Sequence, residues 1–432
     1  MTVQAQTQWF EHARIYTGYE VIEEASLLVE NSKIAGIYRK GDPMPVLSET
    51  CIRVDARDLQ LIPGMIDLHV HGGGGGDVMS GDHTQLAAMC DFHAAHGTTS
   101  LLATTMSASR ERILHALKGV AGYNRQQTNT GARIIGVHLE GPFLHPARTG
   151  AQNPAHLRQP NLAECQHYAE ASDHQLKLLT IAPELQGAED VIRWAVDAGI
   201  TVSIGHSDAT HVQMLEAIHW GASQVTHLFN GMRPLHHRDP GVAGTALMHD
   251  ALCTELICDG IHIHPHLIPW VMAQKPKDKV VCITDCISVA GLTDGTYTLG
   301  GLAVELENQI VRLKIDDGEE TPEEVTNGTH RESNKRKGSK EGNLAGSTLT
   351  MHQALRNTLS YTNLPLEAVI PYFTINAAKQ AKVDQTKGSL EIGKDADIVI
   401  LDHAGNIAAT YVEGKRVFAA QNFLSVHSSK SL

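Results

Sequence analysis

No apolar run in this 432-residue chain approaches the ~20 residues that a membrane-spanning helix requires, which argues against a helical span. The opening residues, MTVQAQTQWFEHARIYTG, have neither a basic start nor an apolar stretch, so no secretory leader is expected. Basic residues are in deficit, 35 Lys and Arg against 48 Asp and Glu, for a formal charge of −13. Phosphate backbones bind basic surfaces, so nucleic acid is not expected as a main partner. A small phosphorylated ligand needs only a local basic pocket and remains open. The seven cysteines are an odd count with no closely spaced framework, and reduced thiols in a cytoplasm are expected. Cys282 and Cys286 flank Asp285, but C-x-x-x-C is neither a zinc nor a redox spacing, and both read as small buried residues.

What is present describes a soluble globular protein, with 42% hydrophobic and 19% charged residues. The length exceeds one ordinary core and suits a ~250-residue barrel with insertions plus a smaller domain. Both ends read as β. ASLLVENSKIAGIYRK has two β-rich runs around Asn31-Ser32-Lys33, the pattern of a hairpin, and GSLEIGKDADIVILDHAGNIAATYVEGKRVF answers it near the other end. Residues 1–61 and 386–432 are therefore expected to pair into one small, discontinuous β-sandwich domain.

Between them, residues 62–385 alternate apolar runs with amphipathic stretches. Asp82, Ser107 or Ser109, and Asp208 stand where helix N-caps are expected. Counting a first strand at 62–69, about eight strands result. Continuously apolar strands alternating with helices imply a parallel sheet covered on both faces, and a closed (β/α)8 barrel fits better than an open doubly wound sheet. Residues 316–343 are polar and charged and read as a long flexible insertion, with Lys335-Arg336-Lys337 a solvated excursion.

The stretch LIPGMIDLHVHGGGGGD, residues 61–77, carries His69 and His71. Two apart on a strand, they project to one face as a pair of nitrogen donors for a divalent metal. The five glycines that follow lack the G-x-x-x-x-G-K pattern of a phosphate loop, so close passage of the backbone past metal or ligand is expected instead. Other apolar runs also end in chemistry: Glu140 in GVHLEGP, His206 in SIGHSD, His227 in VTHLFNG, Asp259 and His262 in ICDGIH, and Asp285 in VCITDC. In a (β/α)8 barrel these ends meet at one mouth. Glu140, His206 and His227 make a hydrolytic ligand set of two histidines and one carboxylate, and His69 and His71 can hold a second ion with Glu140 as bridge. Asp285 is then free for proton transfer. One or two divalent ions are expected, zinc first, although the donors equally suit Fe, Co or Mn.

With these residues in place the chain resembles the amidohydrolase superfamily, and within it the N-acetylglucosamine-6-phosphate deacetylase family. PGMIDLHVHG, HLEGPF with GAQNP, GHSDAT, THLFNGM with HHRDPGVAG, DGIHIHP, TDCISVAG and LAGSTLTM follow the family's order over nearly the full length. The resemblance implies hydrolysis of the acetamido group of a small phosphorylated amino sugar, with Glu140, His206 and His227 as the principal metal site and Asp285 as acid and base. It implies Arg238 and His262 at the sugar phosphate, the arginine reaching into the neighbouring active site of a homodimer. Asn230, Gly231, Leu344, Ala345 and Gly346 match sugar-contacting positions, with Asp259 beside His262. Gln152, beside Ala151 at a substrate-binding position, stands where some members carry a histidine that polarises the acetyl carbonyl, and it can donate a hydrogen bond but cannot become cationic. Three rivals are weighed. The first is the galactosamine epimer as substrate. The second, a cyclic-amide hydrolase, is disfavoured by Glu140 in place of lysine and by Arg238. The third, a non-catalytic scaffold, is disfavoured by the complete ligand set.

Overall fold

A computed structural model of the protein describes residues 7–126, 130–314, 342–421 and 423. Eight parallel strands form the central sheet: Met65–Val70, Thr98–Thr104, Arg133–Glu140, Leu176–Ile181, Thr201–Ile204, Gln224–Val225, Cys253–Ile257 and Val280–Ile283. They pair in chain order, each with the next. The first and eighth complete the ring just beyond their regular pairing, where Asp285 N–H donates to the His69 carbonyl (3.0 Å) and His71 N–H to the Cys286 carbonyl (2.8 Å). A helix follows each strand, but the first is separated from its helix His83–Ala95 by the glycine run, and the eighth from Met351–Thr362 by a stretch that includes a small antiparallel sheet. The strands are buried on both faces, which is why they read as continuous apolar runs rather than alternating ones. The barrel is thus the (β/α)8 form and not the open sheet.

Both ends of the chain contribute to a second, eight-stranded sheet. Its main path runs Lys415–Ala419, Ile407–Val412, Ile398–Leu401, Gln60–Pro63, Gln8–Tyr16, Val21–Glu30 and Lys33–Tyr38, with Ile52–Asp55 attached to Gln8–Tyr16. The sheet curls onto a core of its own, bringing Phe10 edge-on to Tyr411 at 5.2 Å. The hairpin at Asn31-Ser32 turns with both residues at positive φ, 51° and 66°, the conformation that matches strand twist across a two-residue loop. Lys387 ties this unit together from inside, its ammonium 2.8 Å from Asp397 and 2.9 Å from Asp395.

Three sequence expectations need correction. The run at 62–69 is not one barrel strand: Gln60–Pro63 belongs to the small sheet, and the barrel begins at Met65. Gly64 makes the join, since a Cβ there would lie 2.1 Å from the Thr99 hydroxyl. Asp208 does not cap the helix His211–Trp220. Thr210 does, in a reciprocal box with Gln213, because the carboxylate of Asp208 is taken by Arg148 (2.8 Å) and Arg233 (3.2 Å). Asp82 and Ser109 do act as expected, accepting from the first-turn amides of Thr84 and Gln85 and of Arg112. A three-stranded antiparallel sheet, Gly295–Leu299, Leu302–Glu307 and Ile310–Leu313, follows the eighth strand and was not foreseen. Most of the 316–343 segment lies outside the described residues.

Candidate metal centre at the barrel mouth

Three of the ligand-type residues arrive by the same local device. His206, His227 and Asp285 each stand two residues past the end of their strand (Ile204, Val225 and Ile283) and adopt positive φ, 47°, 30° and 53°. Left-handed backbone is costly for side chains with a Cβ, and such residues cluster at functional sites. Here the turn aims each side chain into the mouth instead of along the wall. Glu140 closes the third strand, His69 lies within the first, and His71 follows it directly.

The six side chains converge into two adjoining groups, Glu140 with His206 and His227, and His69 with His71 and Asp285. The Nε2 atoms of His206 and His227 are 3.1 Å apart, and each is 3.2 Å from Glu140 Oε1. His206 Nδ1 donates to the Arg148 carbonyl (2.8 Å) and His227 Nδ1 to the Asn230 carbonyl (3.1 Å). A carbonyl can only accept, so both Nδ1 atoms carry protons and in the neutral rings both Nε2 lone pairs face each other. That arrangement is repulsive unless a cation lies between them. Donors on a tetrahedral zinc stand about 3.3–3.4 Å apart, given bonds of about 2.0–2.1 Å. The observed separations fit a metal in this group.

The second group shows the same spacing. His69 Nε2 is 3.2 Å from His71 Nε2 and 3.4 Å from both Glu140 Oε1 and Asp285 Oδ1, and His71 Nε2 is 3.3 Å from Asp285 Oδ1. Glu140 reaches both sets, with Oε2 3.2 Å from His71 Nε2. The electrostatics select for positive charge. Burial alone would raise the Glu140 carboxyl, yet the imidazoles of His69, His206 and His227 hold it well below the usual range. Burial likewise opposes ionisation of Asp285, and His69 and His71 outweigh it, holding Asp285 at about 2. Burial disfavours charge on His71, but Asp285 and Glu140 raise it to about 9.

The remaining predicted residues divide. Gly231, at φ +56°, brings its backbone so near the first group that a Cβ would lie 2.9 Å from His206 Nδ1. Asn230 supplies the carbonyl for His227. Gln152 points its amide inward, but Nε2 donates to Glu140 Oε2 (2.8 Å) and Oε1 accepts from Ser107 N–H (2.8 Å), so it buttresses the ligand. Ala151 precedes it in the same turn. Leu344 and Ala345 lie along the strand Ile310–Leu313, Ala345 N–H donating to the Val311 carbonyl, and a Gly346 Cβ would fall 3.1 Å from the Asp285 carbonyl, just past the eighth barrel strand. Asp259 is fully engaged in holding His262: one oxygen accepts from the N–H groups of Ile261 and His262, the other from the His262 ring at 2.6 Å. Burial works against a charge on His262, and Asp259 overcomes it to raise the imidazole above its ordinary value. Arg238 sits apart, exposed, its guanidinium 2.7 Å from His237. The glycine run forms a tight hairpin, Gly72–Gly73 with Gly76–Asp77. It passes close to backbone at Ser288 and Gln85.

Two buried carboxyls escaped the sequence reading. Asp67 accepts the Thr284 hydroxyl at 2.6 Å, and burial pushes it up to about 7. Glu255, inside the seventh strand, lies 3.2 Å from His69 Nδ1. The one available signal was an acid within an apolar run, MID and TELIC.

An amidohydrolase family profile matches residues 60–417. The chain belongs to the amidohydrolase family. Among its relatives is the N-acetylglucosamine-6-phosphate deacetylase of Bacillus subtilis (strain 168), 34% identical over 409 residues, covering 94% of this chain and 96% of that one. The N-acetylgalactosamine-6-phosphate deacetylase of Escherichia coli O157:H7 is 33% identical over 403 residues, 93% and 97% of the two chains. A solved structure of the Mycobacterium smegmatis deacetylase in complex with N-acetyl-D-glucosamine-6-phosphate superimposes with a TM-score of 0.82 at 28% identity, covering 96% of this chain and all of that one. The fold of this amidohydrolase is therefore shared with a deacetylase of an amino-sugar phosphate.

Proposed function

We propose that the protein is a metal-dependent deacetylase of N-acetyl-D-glucosamine 6-phosphate, releasing acetate and D-glucosamine 6-phosphate in amino-sugar catabolism. The observation that carries this reading is the pair of adjoining ligand groups bridged by Glu140, in a chain 34% identical over nearly its whole length to a deacetylase of that substrate. Glu140, His206 and His227 would hold the principal ion, taken as zinc, and His69, His71 and Asp285 a second. A divalent cation there supplies Lewis acidity and a nucleophile from water at neutral pH. Asp285, at the mouth beside both groups, accepts the proton of the attacking water and returns it to the departing nitrogen. Gln152 keeps Glu140 in place and has a second amide hydrogen for the acetyl oxygen.

His262, kept positive by Asp259, provides a charged donor for the sugar phosphate. Arg238 is proposed to serve the neighbouring subunit of a homodimer. Leu235, three residues before it, and Met248 and Trp270, on the two helices that follow it, are exposed apolar side chains. The seven free cysteines fit a cytoplasmic setting. The galactosamine epimer stays a second reading because a relative of that specificity is 33% identical over 93% of this chain. Acetate release from the two sugar phosphates, with metal quantified in the same preparation, tests both. Release from neither in zinc-loaded protein refutes the deacetylase reading.

A further inference from the structure

Resting on that metal-dependent reading, we infer that Glu255 is the positioning residue for the second metal ion, fixing His69 as its ligand. Glu255 is fully buried in the seventh strand, where an uncompensated carboxylate would be prohibitive. Three donors compensate it: Gln224 Nε2 on Oε1 at 2.6 Å, and His227 N–H (3.1 Å) with His69 Nδ1 (3.2 Å) on Oε2. The bond to His69 sets the tautomer. With Nδ1–H given to Glu255, the neutral ring presents the Nε2 lone pair to His71, Glu140 and Asp285. The bond to His227 anchors the backbone of a residue in the first group. The His227 ring keeps its own support from the Asn230 carbonyl, so loss of Glu255 falls chiefly on His69. Among the described residues His71 has no such support, its Nδ1 lacking a partner there, so the second site leans on His69.

The test uses the full-length protein stripped with a chelator and titrated with zinc, bound metal being measured after equilibrium dialysis. Glu255→Gln keeps an oxygen acceptor while losing the charge, and Gln224 can turn its unpartnered Oε1 toward the new amide. Glu255→Met keeps the volume and removes the acceptor. Supporting partners of metal-ligating histidines are typically worth 10–100-fold in affinity. The parent is expected to bind two ions. Second-site affinity is expected to fall about tenfold in Glu255→Gln and about 100-fold in Glu255→Met, with first-site affinity within about threefold of the parent. A purely structural role would move both sites together and lower thermal stability without this graded split.

A folded Glu255→Met protein with parental second-site affinity overturns the inference, as does a parent that saturates at one ion. If Glu255→Met does not fold, Glu255→Gln decides alone, and unchanged second-site affinity there is equally fatal. Acetate release by the parent separates the two claims. A one-ion parent that deacetylates keeps the proposed function and loses the Glu255 role. A two-ion parent that releases no acetate, but weakens as predicted on substitution, does the reverse.

Discussion

Acid should destabilise this protein through His93, a residue outside the metal centre. His93 lies on the buried face of helix His83–Ala95, where its Nε2–H donates to the Gly72 carbonyl at 2.9 Å and its Nδ1 has no partner among the described residues. Burial lowers its pKa, the Gly72 bond resists only in part, and the result falls from 6.5 to about 4. A histidine depressed in the fold is neutral there but protonated in the unfolded chain at mildly acid pH. Its contribution is therefore complete above pH 6.5 and is lost as pH falls from 6.5 towards 4. A gap of about 2.5 units corresponds to about 3 kcal/mol, with a slope of about 1.2 kcal/mol per pH unit midway between the two values. His93→Gln retains an amide donor for Gly72 but cannot titrate. Urea unfolding of chelated parent and variant at half-unit steps from pH 7.5 to 4 measures the difference, and comparison of the two curves cancels the other ionisable groups. Parallel stability curves for parent and variant would refute the reasoning.

Asp285→Asn should lower kcat by about 10²–10⁴-fold while the ion held by Glu140, His206 and His227 persists; near-normal turnover removes Asp285 from proton transfer. Gly231→Ala adds a Cβ 2.9 Å from His206 Nδ1 at φ +56°, and should cost about 1–2 kcal/mol from the left-handed backbone alone. Its zinc affinity should fall with the Tm, and full metal retention would contradict the placement. Lys387→Met strands the buried Asp397 without its cation, Asp395 keeping Lys33, and should destabilise by about 3–5 kcal/mol in urea, leaving the metal content of the folded fraction unchanged.

The barrel was legible because its strands are buried on both faces and read as unbroken apolar runs. The ligand residues were legible for the same reason, since a His, Glu or Asp at the end of such a run contrasts with everything before it. Asp208 was misread because cap preference is local, while its true partners, Arg148 and Arg233, come from separate loops. The join at Gly64 was missed because 62–69 is apolar throughout, and an apolar run does not disclose that two different sheets share it.

Sequence alone determined the alternation of strand and helix, the pairing of the two ends, and the identity of the six ligand-type side chains. Those properties follow from periodicity and residue chemistry, which act along the chain. Tertiary structure decided which donors meet. It set Glu140 between both histidine pairs, withdrew Asp259 into support of His262, turned Gln152 onto Glu140, and placed Glu255 against His69 from a strand 186 residues away. Closing the barrel brings distant strands within hydrogen-bond reach, and a buried carboxyl acquires its role from the donors that the closure delivers to it.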